Sequence, residues 1–327
     1  MPSLADAFSR LRPGRRIHGI SAVLLPYTAN GEVDWDAFER HLLRTRGAGL
    51  DVAVNMDTGF GDLLSAQERV AVLDATRRAL GAGATFYAGA FADDSGSYRA
   101  AVAAIEQRGG VPVIVQCRAM HGLAAAEKAA VYRRVCADCE RVLAFELGPV
   151  FAPHGEIWDE ETFARIIEIP NLVGAKHSSL DRGIELQRLA ARDCLRPEFR
   201  LYTGNDLAID MVAYGSDYLL GLSTFAPEAF AARDRAFTRG AVDFLARNDA
   251  LQHLGNVAFR APVPAYKHAA AQYLHITGHL ERDAIHPRAP RRPASDRILL
   301  LDCALRLGAV SDGDKAFSER VKAFLDC

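Results

Sequence analysis

The sequence lacks several features that would mark a membrane, secreted or nucleic-acid-binding protein. No apolar run among its 327 residues is long enough to cross a bilayer. The first sixteen residues contain no apolar signal-peptide core, and the six scattered cysteines outline no disulfide framework. The net charge of -2 favours no polyanionic partner. We therefore expect a reduced, cytoplasmic protein that binds neither membrane nor nucleic acid.

Two local patterns resemble functional motifs but favour structural roles. Cys136 and Cys139 have C-x-x-C spacing, yet they end a helix-like segment and no second pair exists to complete a zinc site. Five arginines lie within residues 282–297, but no aromatic residues interleave them and they do not recur on one helical face. A solvated connecting loop is favoured there over a nucleic-acid contact.

Short apolar runs of strand length recur along most of the chain, and amphipathic stretches separate almost all of them. The predicted strands are His18–Pro26, Asp51–Met56, Ala84–Ala90, Val111–Cys117, Arg141–Leu147, Asn171–Lys176, Phe199–Thr203 and Tyr218–Ser223. Several are continuously apolar, as expected for parallel strands buried on both faces. The predicted helices between them often begin at an N-cap residue: Asp34, Ser65, Ser95 and Asp181.

Alternating strands and helices predict a parallel sheet with right-handed crossovers. Eight such units in about 240 residues favour an α/β fold of the closed (β/α)8 TIM barrel type over an open doubly wound sheet. No G-x-G-x-x-G fingerprint follows the first strand. After residue 240 the pattern becomes helical only. We predict a lead-in at 1–16, a barrel at 17–239 and a helical region at 240–327 packed on the barrel.

A lysine lies at the end of the sixth predicted strand, in the segment Asn171-Leu-Val-Gly-Ala-Lys176. Strands of a β/α barrel direct their carboxyl-terminal residues into the active site. A lysine in that dry mouth has its charged form disfavoured, so it can lose its proton and attack a ketone as a free amine. The position of Lys176 therefore predicts covalent carbonyl chemistry.

Five further segments follow one another as an ordered set of motifs: Gly19–Tyr27 with Asn30–Asp34, Thr58-Gly59 with Leu64–Arg69, Val173–Asp181, Thr203-Gly-Asn-Asp206 and Gly221–Pro227. In this order they resemble motifs of the dihydrodipicolinate synthase / N-acetylneuraminate lyase family of class I aldolases. The chain is similar to that family from about residue 17 to 308. The resemblance implies that Lys176 forms a Schiff base with a 2-keto acid, without a cofactor. It also implies a homodimer or homotetramer.

Other residues of these motifs are candidate substrate contacts. Loop N–H groups near Thr58 and Gly59 can hold the keto acid's carboxylate, because a glycine-bearing strand-to-helix loop presents unpaired donors. Gly204 and Gly221 would let the backbone approach the substrate, and Ser223 offers a hydroxyl. Phe145, on the fifth predicted strand, is a further candidate substrate contact.

The departures from the family pattern concern proton transfer. Phe145 stands where the family usually has a proton-shuttling tyrosine, and the second tyrosine is absent near Gln116-Cys117-Arg118. Residues 142–164 contain no arginine, although synthase members use one there to bind the second substrate. A true dihydrodipicolinate synthase is therefore not expected. Asp57 or Glu146 can replace the tyrosine as acid/base, with Asp57 favoured because strand alternation turns Glu146 away from Phe145.

Structural alternatives stay open for these residues. Glu146 could instead pair with an arginine such as Arg118, and Asp57 could cap its loop. His121, His154 and His177 follow strands 4 to 6 and could join the two carboxylates in a metal site, but their spacing follows no ligand motif, so no metal is predicted. Lys267, on a C-terminal helix, is assigned a structural role.

The sequence thus predicts a Schiff-base lyase or aldolase acting on a pyruvate-like or sugar-derived 2-keto acid. The alternatives are a dehydratase or deaminase of the same family, or a keto-acid-binding barrel that has lost turnover.

Overall fold

Eight parallel strands close into one barrel in this computed structural model, which describes residues 3–94 and 96–311. The strands are β1 (Gly19–Ala22), β2 (Asp51–Val54), β3 (Phe86–Ala90), β4 (Gly110–Val115), β5 (Val142–Leu147), β6 (Leu172–Ser178), β7 (Arg200–Thr203) and β8 (Asp217–Leu220). Their order in the sheet follows the chain, and β8 pairs with β1. The predicted (β/α)8 barrel is confirmed.

Helices occupy the crossovers and the C-terminal region. They are α1 (Leu4–Ser9), α2 (Trp35–Ala48), α3 (Ala66–Leu80), α4 (Tyr98–Glu106), α5 (Ala125–Cys136), α6 (Glu160–Ile167), α7 (Arg182–Leu195), α8 (Pro227–Thr238), α9 (Asp243–Ala258), α10 (Tyr266–Ile276) and α11 (Asp296–Arg306). Between β7 and β8 the predicted alternation gives way to a short 3-10 helix, Ile209–Tyr214, in place of an α-helix. Just before it, Asp206 accepts a hydrogen bond from the N–H of Leu222 beyond β8.

The first and last strands are shorter than predicted, because the chain leaves the ladder early at the mouth of the barrel. Beyond β1, the N–H of Leu24 donates to the Thr224 side chain and not to a neighbouring strand. Beyond β8, residues Leu222–Thr224 form a 3-10 helix. At both places the chain leaves the sheet, which opens the carboxyl end of the barrel, where the candidate site residues lie.

Helix caps follow the sequence signals closely. Ser65 and Glu68 form the capping box of α3, and Asp34 and Asp181 accept N–H groups at the starts of α2 and α7. The predicted cap Ser95 lies outside the described residues, and Ser97 precedes α4. These side chains satisfy backbone donors that would otherwise lack partners.

The apolar side chains form two cores, one on each face of the sheet. The larger core lies between the strands and the helices. The smaller core consists of inward-facing strand residues, including Ile20, Ala53, Val113, Leu143, Phe145 and Leu219. Burial on both faces explains the continuous apolar runs in the sequence. It also means that alternate residues of one strand lie in different environments.

The C-terminal helices α9, α10 and α11 pack on one another, and α9 also packs on α8. Of the loop predicted at 282–297, residues 282–295 contain no regular element and the last two residues begin α11; its arginines are not all solvated. Arg292 is buried and donates to the carbonyl groups of Ala258 and Ala261, which ties this loop to the end of α9. No helix within the described ranges has the length and apolar character needed to cross a bilayer.

Candidate active site

Lys176 lies two residues before the end of β6, on the inner face of the barrel. It pairs in register with Phe145 of β5 and Tyr202 of β7. Its Nζ atom lies 4.4 Å from the centroid of the Phe145 ring, and the residue is 6% exposed. Among the described residues, its amine has no hydrogen-bond or ion-pair partner. The predicted position of Lys176 is confirmed, while its chemical role stays a prediction.

The electrostatic surroundings favour the neutral amine. Burial lowers the pKa of Lys176 below its ordinary value, and the carboxylates of Asp206 and Asp57 oppose this shift only in part. The Phe145 ring gives a cation–π contact but offers no proton acceptor. A buried, unpaired lysine of this kind is suited to nucleophilic attack.

Asp206 is a second buried titratable group near Lys176. It follows β7, is 4% exposed, and accepts the Leu222 N–H at 2.7 Å. Burial raises the pKa of Asp206 to about 7, although the charge of Lys176 acts in the opposite direction. Asp206 belongs to the motif Thr203-Gly-Asn-Asp206, but it was not among the predicted site residues. Its position directly after a strand end could have indicated that it lies at the mouth of the barrel.

A hydrogen-bonded cluster joins the loop after β2 to the start of α10. Asp57, Thr58 and Gly59 form one turn of 3-10 helix after β2. The Tyr266 hydroxyl donates to Asp57 Oδ2 at 2.8 Å and lies 2.8 Å from Thr58 Oγ1. The Lys267 Nζ atom donates to Asp57 Oδ1 at 2.8 Å. Sequence reasoning missed Tyr266 and treated Lys267 as structural, because no local pattern indicates a contact across more than two hundred residues.

Two of the predicted glycines allow close approaches at the mouth. A Cβ atom at Gly204 would lie 2.6 Å from Lys176 Cε, and one at Gly221 would lie 2.9 Å from the Tyr266 ring and 3.0 Å from Thr58 Oγ1. Gly59 is less crowded, with its nearest contact at 3.2 Å to the Val23 carbonyl oxygen. The absence of a side chain at Gly204 therefore makes room for Lys176, and its absence at Gly221 makes room for Thr58 and Tyr266.

Glu146 lies on the outer face of the barrel, away from Lys176. It pairs in register with His177. A β-bulge beside Glu146 could turn its side chain into the barrel, but the register shift between β5 and β6 is at Val142/Leu143, too far from Glu146 to do so. Its oxygens accept from Arg188 at 2.7 Å, from His177 Nδ1 at 2.5 Å and from the Trp158 N–H at 2.8 Å. This geometry favours the ion-pair interpretation, with Arg188 as the partner in place of Arg118.

Pairing of opposite charges stabilises the buried cluster of Glu146, His177 and Arg188. Burial raises the pKa of Glu146, but His177 and Arg188 outweigh that effect and hold it below the ordinary value. Burial likewise opposes protonation of His177, but Glu146 raises the pKa of the imidazole above its usual range. The cluster holds β5, β6 and α7 together and contributes no group to the lumen.

The other candidates are dispersed. Ser223 is fully buried and donates to the Leu220 carbonyl at 2.9 Å. His154 Nε2 lies 3.0 Å from the Gln116 carbonyl oxygen, and His121 faces Glu156 at 3.9 Å. The described residues contain no group of three His, Cys, Asp or Glu side chains arranged to hold a metal ion.

This fold and site define a class, the (β/α)8 barrels that carry a buried lysine at the sixth strand. The chain belongs to the family described as "Protein of unknown function (DUF993)", whose model matches residues 18–327. It is also similar to a 4-hydroxy-tetrahydrodipicolinate synthase of Synechococcus elongatus, at 27% identity over 88% of this chain and 95% of the relative.

Solved structures confirm the resemblance in fold. Dihydrodipicolinate synthase from Thermotoga maritima superposes with a TM-score of 0.80 and 18% identity, covering 90% of this chain and all of that chain. A prophage protein of the dihydrodipicolinic acid synthase family from E. coli K12, in complex with pyruvate, has a TM-score of 0.79 and 16% identity, covering 90% and 99%. The chain is a divergent relative of these barrels.

Proposed function

We propose that the protein is a Schiff-base-forming lyase or aldolase that acts on a pyruvate-like or sugar-derived 2-keto acid. The observation that carries the proposal is Lys176 at the barrel mouth: it is buried, its pKa is lowered, and its amine has no hydrogen-bond or ion-pair partner in the described part of the chain. The pyruvate complex of a barrel with the same fold supports the choice of keto acid. The reaction needs no cofactor, because the protonated imine is itself an electron sink.

The chemistry follows from the groups present. The neutral amine of Lys176 attacks the keto carbon, the carbinolamine loses water, and the resulting iminium stabilises a carbanion on the adjacent carbon. The backbone N–H of Thr58 holds the carboxylate; the Gly59 N–H, also expected from the sequence to bind it, already donates to the Met56 carbonyl oxygen at 3.0 Å and takes no part. Asp206, with a pKa of about 7, and Asp57 are the carboxyl groups close enough to influence Lys176. Glu146 is not part of this proposal, because its partners occupy it outside the lumen.

We further propose that the protein is not a true dihydrodipicolinate synthase. Phe145 supplies no hydroxyl beside Lys176, and residues 142–164 contain no arginine for a second carboxylate. Incubation with pyruvate and aspartate semialdehyde should yield no cyclised product. Formation of that product at a rate typical of a synthase, about 1–10³ per second, would refute this part of the proposal.

Borohydride trapping tests the main proposal. With pyruvate and borohydride, the intact mass of the wild type should rise by one reduced adduct, and Lys176→Ala should abolish the gain. Lys128→Met is the matched control, because Lys128 is equally buried but ion-paired with Glu156 at 2.8 Å. No mass gain in the wild type at saturating keto acid would overturn the proposal. Trapping without turnover of any keto acid would favour the alternative, a binding barrel.

We also propose that the protein works in the cytoplasm as a homodimer or homotetramer. The exposed apolar side chains of the N-terminal segment, Leu4, Phe8 and Leu11, support self-association, because exposed apolar groups of this size favour burial against a partner.

A further inference from the structure

The hydrogen bonds around Tyr266 have a defined direction. Asp57, ion-paired with Lys267, is an acceptor only, so the Tyr266 hydroxyl must donate to it. A hydroxyl has one hydrogen, so the remaining contact of Tyr266 is accepted from the Thr58 hydroxyl. The hydrogen bonds therefore run from Thr58 through Tyr266 to Asp57. They begin at the Thr58 hydroxyl, whose oxygen accepts no hydrogen bond from any side chain that the structure describes, so it can accept a proton.

Tyr266 and Lys267 are closely packed and shielded from water, while the Asp57 side chain is 19% exposed. Tyr266 is 3% exposed and its ring stacks on Phe259 with centroids 4.3 Å apart. The Lys267 side chain is 4% exposed, and its Nζ atom also lies 5.6 Å from the Phe60 ring centroid. Burial raises the pKa of Tyr266 well above its ordinary value, so the phenol stays protonated and can only pass protons along. The packing around Tyr266 and Lys267 holds the three hydrogen-bonded side chains in line.

The Thr58 end of this series of hydrogen bonds lies at the same mouth of the barrel as Lys176. Thr58 and Tyr266 both contact the space that a side chain at Gly221 would occupy, directly after β8. Asp57 and Asp206 both act electrostatically on Lys176. Thr58, Tyr266 and Asp57 therefore border the same mouth of the barrel as Lys176.

We propose that Thr58 and Tyr266 relay protons between a keto acid bound on Lys176 and Asp57, and that Lys267 positions Asp57. This inference rests on the proposed function and deepens it. In the forward step the carbon next to the iminium loses a proton to Thr58 Oγ1 and keeps the electron pair, which forms the enamine. Thr58 passes its own hydrogen to Tyr266, and Tyr266 passes its hydrogen to Asp57, which becomes neutral. Reversal of the three transfers returns the proton.

The relay accounts for the missing tyrosines in physical terms. Phe145 removes a hydroxyl from the wall of the barrel beside Lys176, and Tyr266 supplies one from α10. Thr58 is the group that touches the substrate, while Tyr266 acts through Thr58 and Asp57. Loss of Tyr266 should therefore leave imine formation intact and remove proton transfer.

The experiment measures the two steps separately in the full-length protein. Exchange of the methyl protons of pyruvate in D2O, followed by NMR, reports proton transfer, and borohydride trapping reports the imine. Tyr266→Phe should keep wild-type trapping and lose exchange by about 100-fold or more, the usual contribution of general acid–base catalysis. Tyr273→Phe is the matched control on the same helix, because the buried Tyr273 hydroxyl has no hydrogen-bond partner within residues 3–94 and 96–311. It should keep both activities.

Each result decides the matter. Tyr266→Phe with normal trapping and normal exchange would overturn the relay and leave the proposed function standing. Trapping without exchange in the wild type would also overturn the relay. Absence of trapping in the wild type would overturn the proposed function and the relay with it. If Tyr266→Phe fails to fold, Thr58→Val breaks the same chain at its other end and is judged by the same criteria.

Discussion

Replacement of Glu146 by glutamine should destabilise the protein and leave its chemistry intact. Glu146, His177 and Arg188 are each at most 2% exposed, so the amide would leave the guanidinium of Arg188 buried without a counter-ion. Removal of one partner of a buried ion pair costs about 3–5 kcal/mol. With an unfolding entropy of roughly 2 cal/mol/K per residue, that corresponds to a fall in Tm of about 5–8 °C for a chain of this length.

Thermal unfolding followed by circular dichroism measures this effect, with Glu161→Gln as the control. Glu161 pairs with Arg165 at 2.8 Å on the exposed face of α6, and such surface pairs contribute less than about 1 kcal/mol. Borohydride trapping and pyruvate exchange should match the wild type in both variants at temperatures well below unfolding. A Glu146→Gln protein with unchanged Tm and lost exchange would refute this reasoning and restore Glu146 as an acid/base candidate.

Three further predictions follow from the mouth and the surface of the barrel. Gly204→Ala should slow imine formation, because the new methyl group overlaps Lys176 Cε. The control Gly47→Ala, on open helix surface, should leave the rate of borohydride trapping unchanged, and a normal trapping rate in Gly204→Ala would contradict the crowding. The pKa of Asp206 rises to about 7 on folding, so the stability that wild type holds relative to Asp206→Asn should fall between pH 4 and 7, by up to about 4 kcal/mol in urea titrations. A pH-independent difference would contradict that burial. Sedimentation at micromolar concentration should give a mass of two or four chains, and a value near 35.6 kDa would contradict self-association.

The barrel and its lysine were predictable because both depend on local patterns. Continuous apolar runs, N-cap residues and their alternation specify β/α units, and a lysine near a strand end then falls at the mouth. Strand alternation also indicated that Glu146 faces away from Phe145, and the register confirms it. These features follow from periodicity, which a single sequence contains.

The remainder of the site depends on contacts between distant segments. Nothing near Tyr266 or Lys267 in the sequence indicates that they contact Asp57, because the docking of α10 is set by the whole surface of the barrel. The partner of Glu146 was misjudged for the same reason, since Arg188 reaches it from α7. The raised pKa of Asp206 arises from burial beneath loops whose path the sequence does not reveal.

The separation in sequence between Asp57 and Tyr266 affects the order in which the protein becomes active. A chain made from its N-terminus contains all eight strands and Lys176 before α10 is synthesised. Such an unfinished chain has the amine but lacks the tyrosine and the second lysine. Under the proposed relay it could capture a keto acid without turning it over. Docking of α10 then acts as the final step of maturation, and substitutions in α10 can alter the reaction while the barrel stays unchanged.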